Sequence, residues 1–124
     1  MLPRRYWHEM ATADFGKAET ADWIAVLPVA AIEQHGPHLP VYTDTCIAEG
    51  LIRRSIELLP ANLPVTFLPV QAIGKSDEHI AFPGTITSSW ETTVKLWLEI
   101  GDSVARAGLR KLVLVTSHGG NVPI

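Results

Sequence analysis

The sequence predicts an α/β domain built around a mainly parallel sheet. Three observations carry that expectation. The strand-like segments are apolar on both faces instead of alternating, which suits a sheet covered on two sides. Apolar residues at helical spacing follow the first two of these segments. The polar residues with chemistry to offer collect just after the first and third, at the strand ends where open parallel sheets hold ligands.

In chain order, an N-terminal approach segment leads to a first strand expected over about Trp23 to Ile32. Pro28 makes it irregular, because proline has no N–H to give to a ladder. A Gly/Pro-rich loop, Gly36-Pro37-His38-Leu39-Pro40, precedes a helix expected from near Thr45. Ile47, Leu51, Ile52, Ile56 and Leu59 share one face of that helix, and Pro60 closes it. Val65 to Val70 reads as a second short strand, and the loop from Gln71 to Thr87 is long enough to suggest a task. Ser88 and Glu91 have capping-box spacing for a second helix. Its stripe is Trp90, Val94, Trp97, Leu98, Gly101, Val104 and Ala105, with Gly108 placed as a C-terminal cap. Gly101 in that stripe suggests a close approach to the sheet. Leu112-Val113-Leu114-Val115 is the third strand, and Asn121 is expected to cap a further helix with Pro123 in its first turn. Three such strands without closing elements are poorly covered, so the chain reads as an incomplete domain or one completed by another chain.

Composition narrows the function classes. A chain of 124 residues supplies one domain and buries roughly two thirds of its unfolded surface, with 47% apolar residues to do so. Its net charge of −3 lacks the basic footprint of a nucleic-acid binder. With 19% charged residues and no single-sign run, a disordered acidic tail is excluded too. Cys46 is alone, so no internal disulfide forms. The longest apolar stretch falls short of a membrane span, and the first residues have no signal-peptide pattern. The expectation is a soluble, cytoplasmic protein with neither nucleic-acid nor membrane partner.

The informative stretch is Glu33-Gln34-His35-Gly36-Pro37-His38, with Asp44 nine residues beyond His35. Glu33 and His35 are two apart, so an extended segment sends both side chains to the same side. His118 stands at the matching end of the third strand. Two strand ends can thus aim Glu33, His35, Asp44 and His118 at one pocket. Mixed carboxylate and imidazole ligands suit Zn²⁺ or Mn²⁺, and a carboxylate such as Asp44 can bridge two ions. A plain hydrogen-bonded polar turn with His118 beside it accounts for the same residues.

Three motifs resemble the creatininase (creatinine amidohydrolase) family. They are Glu33 to Pro40 followed by Thr43-Asp44; Gly74-Lys75-Ser76 leading to His79 and Phe82-Pro83-Gly84-Thr85; and His118-Gly119-Gly120-Asn121. The resemblance implies that residues 1–124 are the N-terminal part of a single three-layer α/β/α domain of a metal-dependent amidohydrolase. It implies two divalent metal ions, Zn and/or Mn with Fe as a further option, and a hexameric tendency. By position, Glu33 would hold one metal, His35 the other, Asp44 would bridge them, and His118 would complete the first site. Ser76 falls at a substrate contact, and the Gly119-Gly120 backbone would lie beside the reacting carbonyl. The expected reaction is hydrolysis of a non-peptide C–N bond, cyclic amide or formamide-type, in a small-molecule substrate.

In creatininase itself a glutamate ligand stands two residues after the strand-end histidine, where this chain has Gly120. That points away from creatinine, since family members with the Gly-Gly form act on other amides, among them a formamidopyrimidine deformylase and a peptidase of mycofactocin maturation. Family members also continue into a second half with a further His/Glu motif and the proton-transfer histidine. On that ground the chain alone is expected to be a damaged catalyst, with an assembly or binding module as the alternative.

Other residues carry less. Gly74-Lys75-Ser76 lacks the upstream glycine and following helix of a phosphate loop. His38 is expected as an orienting partner of a ligand, His79 as either a pocket wall or a solvated loop residue, Asp77 and Glu78 as solvated charges, and Cys46 as a packing residue.

Overall fold

Alternation along one strand sets the architecture of the chain, whose residues 1–124 are all described by the computed structural model. Strand β1 (Ile24–Val29) turns successive side chains to opposite faces of the sheet. Ala25, Leu27 and Val29 join Trp23, Trp97, Val104 and Leu109 in one core. Val26 joins Ile52, Val65 and Phe67 in the other. Helix α1 (Thr43–Leu58) therefore covers one face and α2 (Trp90–Arg106) the other, giving three layers.

The sheet has the order β2-β1-β3, with β2 (Val65–Phe67) and β3 (Lys111–Thr116) both parallel to β1. Ile24 pairs with Val65 on one side and with Lys111 on the other. The mainly parallel three-layer arrangement is the one the sequence predicts, and β3, at the edge, is poorly covered: Val113, Leu114 and Val115 are 46–49% exposed.

Several local expectations shift. The first strand ends at Val29, not Ile32, because the chain leaves the ladder there: Ile32 pairs with Ile86 and the Glu33 N–H reaches the Val41 carbonyl. Pro28 is tolerated at the centre of the sheet because its side of β1 faces the segment after Phe67, where β2 has already stopped. Its carbonyl still accepts from the Gln71 N–H at 2.9 Å. β2 stops at Phe67 two residues before Pro69, which cannot donate to a ladder.

α1 begins at Thr43, and its buried side is Asp44, Thr45, Ala48 and Ile52; Ile47 and Leu51 of the expected stripe are exposed. Cys46 is exposed as well, since it falls off that buried side. The α2 cap is Ser89, which accepts from the Thr92 N–H, while Ser88 turns its hydroxyl to Thr93. The α2 stripe centres on Thr93, Trp97 and Val104, leaving Trp90 at 56% and Leu98 at 65% exposure. Gly108 ends α2 with φ +102°, a conformation that side chains resist. A Cβ on Gly101 would meet Leu112 at 3.5 Å, an ordinary contact, so the helix approaches the sheet without requiring glycine there. No helix is long and apolar enough to cross a membrane.

Candidate metal centre

Two strand ends and one helix start deliver the site. After β1 the chain runs through Ile32 into Glu33, which is buried, and turns back at Gly36 with φ +77° to pair His35 with Leu39. Asp44 lies in the first turn of α1, where the helix dipole favours an acid, and is 5% exposed. His118 follows β3 by two residues and is 6% exposed. All four side chains meet, although Asp44 and His118 are far apart in sequence.

Asp44 is the centre of the cluster. Its Oδ1 lies 3.0 Å from His35 Nε2, and its Oδ2 lies 3.1 Å from His118 Nδ1. His118 Nδ1 is also 3.1 Å from Glu33 Oε1. The far nitrogen of each imidazole faces a main-chain carbonyl: His35 Nδ1 that of Glu33 at 3.2 Å, and His118 Nε2 that of Lys75 at 2.9 Å. Carbonyls only accept, so those nitrogens donate. In the neutral rings the lone pairs of His35 Nε2 and His118 Nδ1 then face the two oxygens of Asp44.

Such a convergence of acceptors calls for a cation. Asp44 Oδ2 is buried with no hydrogen-bond partner, an uncommon condition for a carboxylate oxygen. One ligand atom each from Glu33, His35 and Asp44 lie within 4.8 Å of one another. Imidazoles locked by a carbonyl on the distal nitrogen are the usual surroundings of a metal ligand. The donor set of two carboxylates and two imidazoles suits a divalent ion of the zinc or manganese type.

The two acids are tuned in opposite directions. Burial pushes the Glu33 carboxyl up, but the Ser76 hydroxyl and the nearby His118 and His79 outweigh it and hold the group below its ordinary value. Burial raises Asp44, and repulsion from Glu33 adds to that against the pull of His35 and His118, so Asp44 sits above its ordinary value.

Ser76 is fully buried and gives its hydroxyl to Glu33 Oε2, so that oxygen is occupied and Oε1 is left for the centre. Gly119 is exposed and open, whereas a Cβ on Gly120 would strike the Glu78 carboxylate, His118 Nε2 and the Lys75 carbonyl. His79 faces the site: its Nε2 is 3.5 Å from Glu33 Oε2 and its Nδ1 is 3.0 Å from Gln34 Nε2. His38 is exposed and bonds to no site residue, because the Gly36 turn points it outward. Asp77 and Glu78 both pair with Lys75, at 2.7 and 2.8 Å.

Sequence reasoning missed two contributors, the Lys75 carbonyl and Asn121. A main-chain acceptor has no sequence signal, and Asn121 does not cap a helix: it is buried in a short 3₁₀ turn, Gly119–Asn121. The cluster does not line the cleft of about 450 Å³ between α1 and the β2 edge, whose walls include Tyr6, Glu49 and Arg53. The chemistry lies with the buried cluster.

Comparison with known proteins gives a consistent picture. The profile of the creatininase family, described as creatinine amidohydrolase, matches residues 8–124. A mycofactocin precursor peptide peptidase of Mycobacterium tuberculosis is 39% identical over 120 residues, covering 92% of this chain and 47% of the relative. A creatinine amidohydrolase of Pseudomonas putida is 30% identical over 106 residues, covering 85% of this chain and 41% of the relative. The crystal structure of a creatinine amidohydrolase superimposes with a TM-score of 0.79 at 27% identity, covering 96% of this chain and 47% of that one. Creatininase structures described as Mn and as Zn-Zn type align with TM-scores of 0.77, each at 27% identity and covering 94% of this chain and 46% of theirs. The chain thus spans about half the length of the curated relatives it matches.

Proposed function

Because the chain belongs to the creatininase family, we propose that it contributes the metal-binding half of an amide-hydrolysing enzyme. The observation that carries this reading is Asp44, whose two oxygens serve two different imidazoles. That division supports a two-ion centre. Glu33, Asp44 and His118 would hold one divalent ion, and Asp44 with His35 a second.

Divalent ions in that place supply Lewis acidity, polarising an amide carbonyl and making water nucleophilic near neutral pH. The chain's own residues prepare for it. Ser76 pins one oxygen of Glu33 and leaves the other free. The carbonyls of Glu33 and Lys75 fix the orientation of the two imidazoles. Burial of Glu33, Asp44 and His118 keeps competing water away from the ligand atoms. The exposed Gly119 backbone would border the substrate carbonyl, with Gly120 beside it. Ser76, expected as a substrate contact, has its hydroxyl engaged with Glu33, so it would act on substrate through that acid.

The substrate reading is a non-peptide amide, cyclic or formamide-type. A second reading, a peptide bond, is favoured by one observation: the relative named a peptide peptidase is 39% identical, against 30% for the relative named for creatinine.

Metal analysis of the purified chain, followed by hydrolysis assays on a cyclic amide, a formamide and a peptide panel with and without chelator, tests the proposal. Zinc or manganese retained by the wild type and lost on Glu33→Ala or His35→Ala supports the centre. No more than trace metal, unchanged in those variants, would remove it. Cleavage in one arm of the panel decides the bond class.

A further inference from the structure

The segment leading to Glu33, the Lys75 loop and the end of β3 before His118 all meet at one buried side chain. Asn121 is 4% exposed, three residues after His118. Its Nδ2 donates to the Ala30 carbonyl at 3.0 Å, just beyond the end of β1 and upstream of Glu33. Its Oδ1 accepts from the Lys75 N–H at 3.1 Å. The same Nδ2 lies 3.5 Å from the Thr116 hydroxyl at the end of β3. The fit is close enough that Gly74 could not carry a Cβ, which would collide with the Ala30 carbonyl and the Asn121 amide.

Lys75 connects this clamp to the chemistry. Its N–H is held by Asn121, and its carbonyl accepts the Nε2–H of His118 at 2.9 Å. The next residue is Ser76, whose hydroxyl reaches Glu33 and whose N–H is held from the far side by Thr87 at 2.7 Å. Shifting Lys75 therefore disturbs the orientation of one metal-ligating imidazole and the donor to one carboxylate together.

We propose that Asn121 is a positioning residue for the metal centre: by clamping Lys75 against the end of β1 it holds the carbonyl that turns His118 Nδ1 towards Glu33 and Asp44. The inference rests on the proposed metal reading, but part of its test does not. The Lys75–His118 contact is itself tightly enclosed, since a Cβ on Gly120 would strike both the Lys75 carbonyl and His118 Nε2.

The experiment uses nitrogen-15 spectra of His118 in the metal-free chain, together with zinc titration against a chromophoric chelator. In the wild type a hydrogen-bonded Nε2–H is expected; its absence overturns the proposal without any variant. Asn121→Ala is expected to lose that signal and to weaken zinc binding about 10- to 100-fold, the range for outer partners of metal ligands. Asn121→Asp keeps the acceptor for the Lys75 N–H but loses the donor to Ala30; it should do the same, and it decides the matter where Asn121→Ala does not fold. A folded Asn121→Ala or Asn121→Asp with the Nε2–H bond intact and zinc affinity within about twofold of wild type overturns the role. If the wild type binds no zinc, the metal reading fails, while loss or retention of the Nε2–H signal in the Asn121 variants still reports on the clamp.

Discussion

His118 Nδ1 lies 3.1 Å from Asp44 Oδ2, yet that oxygen has no hydrogen-bond donor. In a neutral imidazole the ring proton is on Nε2, held by the Lys75 carbonyl, so two acceptors face one another across a buried gap. Acceptors placed this way are arranged to share a cation.

Zinc should stabilise the fold by mass action. At about 100 times its dissociation constant, an ion that binds the folded chain alone adds about 2.7 kcal/mol. Urea unfolding with zinc and with EDTA measures the difference, and His118→Ala should abolish it.

Asp44→Asn should raise the stability of the metal-free chain by about 1 kcal/mol while abolishing zinc binding. The new amide can donate to His118 Nδ1 or Glu33, replacing an orphaned acceptor with a satisfied donor. The pH dependence has a definite sign. Burial first, and Glu33 second, raise the folded pKa of Asp44 above its ordinary 3.8. A raised acid contributes stability that is complete below its unfolded value and is lost as pH rises through the folded one. The advantage of Asp44→Asn is therefore smallest in acid and grows towards neutral pH, which urea titrations in EDTA at about pH 4 and about pH 7 compare directly.

Ser76→Ala should weaken zinc binding about tenfold, since Glu33 loses the donor that occupies Oε2. It should also cost about 1–3 kcal/mol of stability, because a buried carboxylate oxygen is left with only His79 nearby at 3.5 Å. Zinc competition and urea denaturation give the two values separately.

Two glycines of the α2 region should respond in opposite directions. Gly101→Ala adds a Cβ at ordinary contact with Leu112 and removes a flexible residue from a helix, so stability should rise by about 0.5–1 kcal/mol. Gly108→Ala should fall by at least about 1 kcal/mol, because its φ is +102° and its Cβ would strike the Thr20 hydroxyl. Thermal unfolding of the two variants against wild type shows the sign of each.

Much of this was legible in the linear chain. Runs apolar on both faces announced a doubly covered parallel sheet, and Glu33, His35 and His118 were placed by the strand ends that precede them. The finer boundaries were not legible, because tertiary pairings decided them: β1 loses three expected residues when Ile32 turns to Ile86. The local neighbours of Asn121 suggest a helix cap, whereas its amide bonds to Lys75 and Ala30, which are 46 and 91 residues away.

The sequence by itself determined which residues are present at each strand end and what kind of ion their donor atoms prefer. Only the tertiary structure decided which nitrogen of each histidine faces Asp44, which oxygen of Glu33 is free, and that His79 turns inward. Periodicity is a local property and survives in one dimension. A tautomer or a free lone pair depends on the partner that takes the other hydrogen bond, and here that partner for His118 lies 43 residues away.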